Sequence, residues 1–506
     1  MNLQEKIDKL KEYQKKYRAY EHALGLMQYD AATGMPDGAS DTLSDTMGIL
    51  SVEQYNLTTD KGFMEIVKDL ASVKDQLDLQ TRREVEEIFE DQQKLERVPA
   101  EMVSALQMAM NDGNHYWKIA KDNNDFETFK PYLENLINLK KEYARCIKPE
   151  ETNIYNTLLD EFEKGMTVEQ LEPFFALLRE KLVPLIKSIN QCSLKPREDF
   201  LHQKFDIARQ SELSDYVMDV MSVDKSRCTI KETEHPFTIE FSKNDVRITT
   251  KYLEDDLASN LYSVIHESGH ALYELNVGDD LIHSVMGHGA TTATHESQSR
   301  MWENNIGRSL PFVQLIFPRI KELFPDEMAD VTAEDFYRGV NIAKPSLIRT
   351  DADELTYCMH IMVRYELEKK IFADELSVDE LPSAWNRLYK EYLGIDVPDD
   401  TSGVLQDAHW AGGAFGYFPS YAVGNAYSAQ IMAAVSKAVD ITKCCENADF
   451  KPMLSWLTDK MYKFGMIYTS DEILQNVCGE KFDPDYYVRY LTEKFKALYN
   501  LESEEL

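Results

Sequence analysis

The five residues His266-Glu267-Ser268-Gly269-His270 have the types and spacing of a metal-assisted hydrolase. On a helix, residues four apart rise only ~6 Å along the axis and sit almost above one another. Two neutral imidazoles placed in this way can each give one nitrogen to the same tetrahedral zinc ion. Glu267 then lies beside the open coordination position, where it can take a proton from a bound water whose pKa the metal lowers to about 7. The plainer reading of the same residues is two buried histidines satisfied by backbone carbonyls.

The spacing has meaning only if the local chain is helical. Leu257, Leu261, Val264, Ile265, Leu272 and Leu275 recur at three- and four-residue steps, and Asp255 and Asp256 sit where a helix start favours negative charge. A catalytic zinc also needs a third protein ligand, with the fourth position left to water. Glu296 is the candidate. It lies in Thr294–Asn304, which reads as a second helix after a loop from Val277 to Ala293. His295 and Glu303 compete for the role, and His295 fits better as a polar neighbour that orients a ligand.

The elements that must hold these residues are mostly helical. Leu3, Ile7, Leu10, Tyr13, Tyr17, Tyr20 and Leu24 mark one long amphipathic helix, and Leu171, Phe174, Leu178, Leu182 and Leu185 mark another. From Cys228 to Thr250 the pattern changes. Phe237–Phe241 and Val246–Thr249 alternate around the turn-like Ser242–Asp245, which predicts a small sheet immediately before the HExxH helix. An edge strand at that place can hold an extended peptide by backbone pairing. Downstream the chain is helical again, with a capping box at Thr469 and Glu472 and an amphipathic run from Tyr486 to Tyr499. The expected fold is therefore mainly α, with a small antiparallel sheet beside the zinc helix and a deep substrate cleft between two lobes. We expect one catalytic domain over 1–506, divided into a helical lobe (1–225), a sheet and zinc-site core (226–425) and a C-terminal helical region (426–506).

Composition narrows the class further. A net charge of −33 over 506 residues argues against nucleic acid or an anionic membrane as partner. No apolar run reaches the roughly eighteen residues that span a bilayer, and Met1–Lys6 begins an amphipathic helix with no secretory apolar core. The seven cysteines show no CxxC spacing, so reduced thiols and a cytoplasmic location are expected.

Five motifs stand in order along the chain. Asp245-Val246-Arg247-Ile248-Thr249 reads DxRxT, His266 to His270 reads HExxH, and His295 to Gln298 reads HESQ. Ile348-Arg349-Thr350-Asp351-Ala352-Asp353 reads IRxxAD, and Gly403-Val404-Leu405-Gln406-Asp407-Ala408-His409-Trp410 reads GxxQDxHW. The set resembles the carboxypeptidase Taq family of metallocarboxypeptidases. That resemblance implies removal of single amino acids from peptide C-termini, and a homodimer. The chain departs from the family pattern at Tyr29, where Trp is expected, at Asp37, where a second proline is usual, and in the loop Val285–Thr291, which lacks a proline-containing turn. None of these touches a proposed ligand. Substrate preference and loop shape are what they affect.

An exopeptidase acting at C-termini must also recognise a free carboxylate. Arg349 is the candidate, because its planar fork matches a carboxylate bidentately. The alternative for Arg349 is an ion pair with Asp351 or Asp353. Arg247 is a second substrate-binding candidate, suited either to substrate contact or to a salt link with Asp245. The tetrahedral intermediate needs donors aimed at its oxyanion. His409 and Tyr421, twelve positions apart, are assigned that task, with Tyr417 as a further substrate contact. The stretch from His409 to Tyr421 resembles the glycine- and tyrosine-rich segment of thimet-type oligopeptidases. The competing reading makes Tyr417 and Tyr421 aromatic core. The predicted cofactor is Zn2+, with Co2+ or Mn2+ able to use the same ligands, and the predicted partners are peptides with a free C-terminus. The alternative activities are a zinc oligopeptidase, a dipeptidyl carboxypeptidase, or a catalytically inactive helical scaffold.

Overall fold

The computed structural model describes residues 1–501; residues 502–506, the tail of the expected C-terminal region, lie outside the described residues. The first long helix spans Leu3–Thr33, and Asn2 and Glu5 close a capping box at its start. Its inward face carries Leu10 and Tyr13, which join Phe63, Val67, Leu70, Val85 and Ile88 in a small core of their own. A second, much larger core runs from Ala109 to Tyr499 and includes the helix Val168–Gln191 and the C-terminal helix Asp485–Tyr499. A buried polar network joins the first helices to the loop ahead of the expected third ligand. Gln14 donates to Glu84 at 2.9 Å, Ser284 donates to the other Glu84 oxygen at 2.6 Å, and the Val285 amide donates to Gln14 at 2.8 Å.

The sheet has three strands, β1 (Cys228–Glu232), β2 (Thr238–Ser242) and β3 (Asp245–Thr250), in the order β1-β3-β2. β2 and β3 form the expected antiparallel hairpin. β1 is different, pairing parallel to β3 with Cys228 opposite Val246. The chain leaves β1, crosses to the far edge, runs back as β2 and returns between them as β3. The sheet is therefore mixed, where an antiparallel one was expected. Strand direction depends on this crossover, and residue alternation does not record it. β2 is left at an edge. Val246 and Ile248 of β3 are buried, while Arg247 between them is half-buried.

The HExxH helix spans Leu257–Glu274, with Asp256 accepting a capping bond from the Ser259 amide at 2.9 Å. The next helix, Thr292–Arg300, is capped by Thr291 and continues as a π-helical turn over Met301–Gly307. Gly269, inside the HExxH motif, sets how closely these helices meet. A Cβ there would lie 2.7 Å from Ser299 Cα and 2.8 Å from the Gln298 carbonyl oxygen, closer than atoms can pack. Gly424 on the helix Phe418–Ala438 does the same on the other side, where a Cβ would lie 2.8 Å from that of Glu296. Two glycines thus clamp the short helix carrying Glu296 between its neighbours. The expected capping box at Thr469 and Glu472 is present. No helix among the described residues is long and apolar enough to cross a membrane, and the seven cysteines are free.

Candidate metal centre and active site

His266 and His270 project from one face of the HExxH helix toward Glu296 on the next. One donor atom from each of the three lies within 4.8 Å of the other two. Glu296 Oε2 is 3.6 Å from His266 Nε2 and 3.4 Å from His270 Nε2. A tetrahedral ion with ligand bonds of about 2 Å needs donor pairs about 3.3 Å apart, so these separations suit it with little movement.

Both remaining imidazole nitrogens are engaged, which leaves Nε2 of each ring free to ligate. Glu303 Oε2 lies 2.9 Å from His266 Nδ1. His295 Nδ1 lies 2.5 Å from His270 Nδ1, and His295 Nε2 lies 2.7 Å from Glu274 Oε1. The two competitors for the third position therefore stand behind the histidines and orient them. Glu274 was legible in principle, since it follows His270 by four on the same helical face.

Arg300 holds the acidic side of the centre together. It follows Glu296 by one helical turn, and its Nε donates to Glu296 Oε1 at 2.7 Å while Nη1 donates to Glu303 Oε2 at 3.0 Å. Burial penalises the Glu296 carboxylate, but Arg300 and His266 outweigh it and hold the carboxyl well below its usual range. Burial, with His295 and His266 nearby, pushes His270 down to about 3, so its ring is neutral and its lone pair free. His266 moves up because Glu296 and Glu303 overcome its burial. Carboxylates that attract a proton there attract a divalent cation too.

Glu267 is buried, and burial raises its carboxyl despite the opposing effects of His266 and Thr238. Thr238 on edge strand β2 donates its hydroxyl to Glu267 Oε2 at 2.6 Å. The strand next to the centre therefore also orients the expected base. No sequence pattern pointed to Thr238, because its partner is 29 residues away.

A second cluster adjoins the first through aromatic and charged contacts. The Arg300 guanidinium lies 4.8 Å from the Tyr357 ring centroid, and the Tyr357 hydroxyl accepts from Arg349 Nη1 at 3.3 Å. Arg349 pairs with neither Asp351 nor Asp353. It is buried against Asp407, with Nη2 donating to Oδ1 at 2.8 Å and Nε at 3.1 Å. Arg364 donates to the other oxygen of Asp407 from Nε at 2.7 Å. Two guanidiniums share one carboxylate, which leaves one positive charge in surplus. Arg364 is fully buried, so Arg349 is the one placed to present that charge to a ligand.

His409, Tyr417 and Tyr421 pack on this pair. Their rings lie 5.4 Å (His409 to Tyr417), 6.4 Å (His409 to Tyr421) and 5.0 Å (Tyr417 to Tyr421) apart, and Arg349 sits 5.4 Å from the Tyr421 ring centroid. Burial pushes His409 down to about 4 against the opposing pull of Asp407, with Arg349 and Arg364 adding to the fall, so the ring is neutral. Its Nδ1 is buried without a hydrogen-bond partner among the described residues. Burial raises the Tyr421 and Tyr417 phenols, which stay protonated as donors.

Arg247 does not join either cluster. Asp245 grips its guanidinium at 2.9 Å from two nitrogens, and it packs against Tyr29 and Phe241 at 5.0 and 4.9 Å. The salt link to Asp245 is therefore present. The alternation of β3 explains the placement, since Arg247 faces away from the buried Val246 and Ile248. Asp407 lies within the GxxQDxHW motif and Arg300 one turn from Glu296, so both had a local signal. Arg364 had none.

The sequence model of the carboxypeptidase Taq (M32) metallopeptidase family matches residues 9–495. The chain is 37% identical over 488 residues to Carboxypeptidase 1 of Bacillus subtilis (strain 168), covering 96% of this chain and 97% of that one. It is 34% identical over 493 residues to Thermostable carboxypeptidase 1 of Pyrococcus furiosus, covering 96% and 98%. The crystal structure of M32 carboxypeptidase from Deinococcus radiodurans R1 superposes with a TM-score of 0.95 at 34% identity, covering 98% of this chain and all of that one.

Proposed function

Because the chain belongs to the carboxypeptidase Taq (M32) metallopeptidase family, it is a metal-dependent carboxypeptidase, and we propose that His266, His270 and Glu296 hold its zinc ion with Glu267 as general base. The observation that carries this reading is the convergence of the three donors, each histidine held by a carboxylate or imidazole at its other nitrogen. Co2+ or Mn2+ suits the same donors. When bound, the ion lowers the pKa of a water to about 7 and polarises the scissile carbonyl.

The chain's own residues do the rest. Glu267, its carboxyl raised by burial, takes the proton of the attacking water and passes it to the departing amine. Arg349 binds the substrate's terminal carboxylate with the charge that Asp407 leaves unneutralised. Neutral His409 and protonated Tyr421 donate to the developing oxyanion, and Tyr417 lines the same wall. Arg247, paired with Asp245 and packed on Tyr29 of the first helix, supplies a second cationic group for substrate on β3.

In this reading the chain is one catalytic domain over 1–506, with the helical lobe 1–225, the sheet and metal-site core 226–425 and the C-terminal helical region 426–506. It acts on peptides with a free C-terminus as a cytoplasmic homodimer, and its seven free cysteines suit a reducing compartment. Incubating metal-loaded protein with an unrelated peptide and following the products by mass spectrometry tests the activity. Stepwise loss of single C-terminal residues is expected. Dipeptides or internal fragments appearing first would instead mark a dipeptidyl carboxypeptidase or an oligopeptidase. Light scattering tests the dimer.

A further inference from the structure

The helix Tyr357–Phe372 carries two charged residues, Arg364 and Glu368, one turn apart and both fully buried. Arg364 grips Asp407. Glu368 has no assigned task, yet its carboxylate takes three donors. Trp410 Nε1 donates to Oε1 at 2.6 Å, and Oε2 accepts from the Gly416 amide at 2.7 Å and the Tyr155 hydroxyl at 2.8 Å. Burying a carboxylate is costly, and an apolar side chain would fill the same space without that cost. The acid is therefore placed for the three donors it holds together, and not for packing.

The use lies in which residues are held. Trp410 directly follows His409, and Gly416 directly precedes Tyr417. A single carboxylate thus pins both ends of the segment that separates the imidazole from the two tyrosines. Arg364, one turn earlier on the same helix, pins Asp407 just ahead of His409. We propose that Glu368 is a positioning residue for peptide hydrolysis, setting the distance between His409 and the Tyr417–Tyr421 pair by holding Trp410 and Gly416 together.

Glutamine at this site keeps the size but offers one acceptor oxygen and turns its amide N–H groups toward donors. Glu368→Gln should lower kcat on a free-acid peptide at least about tenfold while changing KM less than about threefold, because the oxyanion donors act in the transition state. Bound metal should stay at the wild-type level. Tryptophan emission should shift to the red, and the shift should be absent when the same substitution is made in a Trp410→Phe background. Tyr155→Phe removes the donor that lies outside the segment and should keep kcat within about twofold of wild type. If Glu368→Gln does not fold, Glu368→Asp replaces it, since the shorter carboxylate keeps the charge but cannot reach both ends. Wild-type kcat in the folded variant, or an equal loss in Tyr155→Phe, overturns the assignment. The proposal rests on the roles given above to His409 and Tyr421. A His409→Ala enzyme with wild-type kcat overturns that reading and the proposal with it, whereas an inactive His409→Ala beside a fully active Glu368→Gln overturns the proposal alone.

Discussion

His295 stands directly behind His270, nitrogen to nitrogen at 2.5 Å, with Glu274 on its far side at 2.7 Å. One proton arrangement satisfies all three groups and leaves His270 Nε2 bare. His295 donates from Nε2 to Glu274 and accepts at Nδ1 from His270. The histidine of the HESQ motif thus backs His270, while its neighbour Glu296 presents the oxygen that faces both imidazoles.

This difference separates two neighbouring substitutions. Glu296→Ala should strip the metal and the activity together. His295→Ala should weaken metal binding about 10- to 100-fold, the usual cost of losing a partner that orients a ligand, and should recover at high metal concentration. Metal titration followed by activity checks both. If His295→Ala empties the site and Glu296→Ala does not, the donor set is wrong.

Glu267→Gln should reduce turnover by about 10²–10⁴ with metal content near wild type, because an amide cannot accept the water's proton while both imidazoles persist. Elemental analysis alongside peptide assays decides this. Retention of a tenth of the activity would remove Glu267 from the role of base.

The surplus charge at Arg349 predicts how the enzyme recognises an end. Amidating the substrate C-terminus should cost about 2 to 5 kcal/mol in transition-state binding. Arg349→Ala should bring the rates for free and amidated peptides together and leave the metal in place. A mutant that still prefers the free acid by the wild-type ratio would make Arg349 only the structural partner of Asp407.

Stability should respond to pH through Glu163. Its buried carboxylate accepts from Ser470, from Thr291 at 2.8 Å and from the Ala293 amide at 3.0 Å, at the start of the helix that carries Glu296. Burial nonetheless pushes its carboxyl up to about 7. A group raised in the folded state contributes stability that is fully present below its unfolded pKa, near 4.3, and lost as pH rises through the folded value. The stability of wild type relative to Glu163→Gln should therefore fall by a few kcal/mol, about 3 at most, between pH 4.5 and 7 and then level off. Denaturant titrations across that range test it, and a pH-independent difference would rule out the shifted carboxyl.

The sequence by itself determined what depends on neighbours along the chain. Three- and four-residue apolar steps and an aspartate cap specify the HExxH helix, and the four-residue spacing puts both imidazoles on one side of it. Alternation around Ser242–Asp245 specifies the hairpin, and Thr469 with Glu472 specifies a capped helix start. These are short-range effects of backbone geometry, so they survive without knowledge of the fold. Tertiary structure decided where each of several equally suitable groups stands. Glu296, His295 and Glu303 all lie on one short stretch, and the close approach allowed by Gly269 and Gly424 sets Glu296 facing both imidazoles, with His295 and Glu303 behind them. Arg349 had acidic candidates two and four positions away, yet it bonds Asp407, 58 positions on. β1 runs parallel to β3 because of a crossover that residue alternation does not record. Partner choice depends on distances between elements, and chain order does not encode those distances.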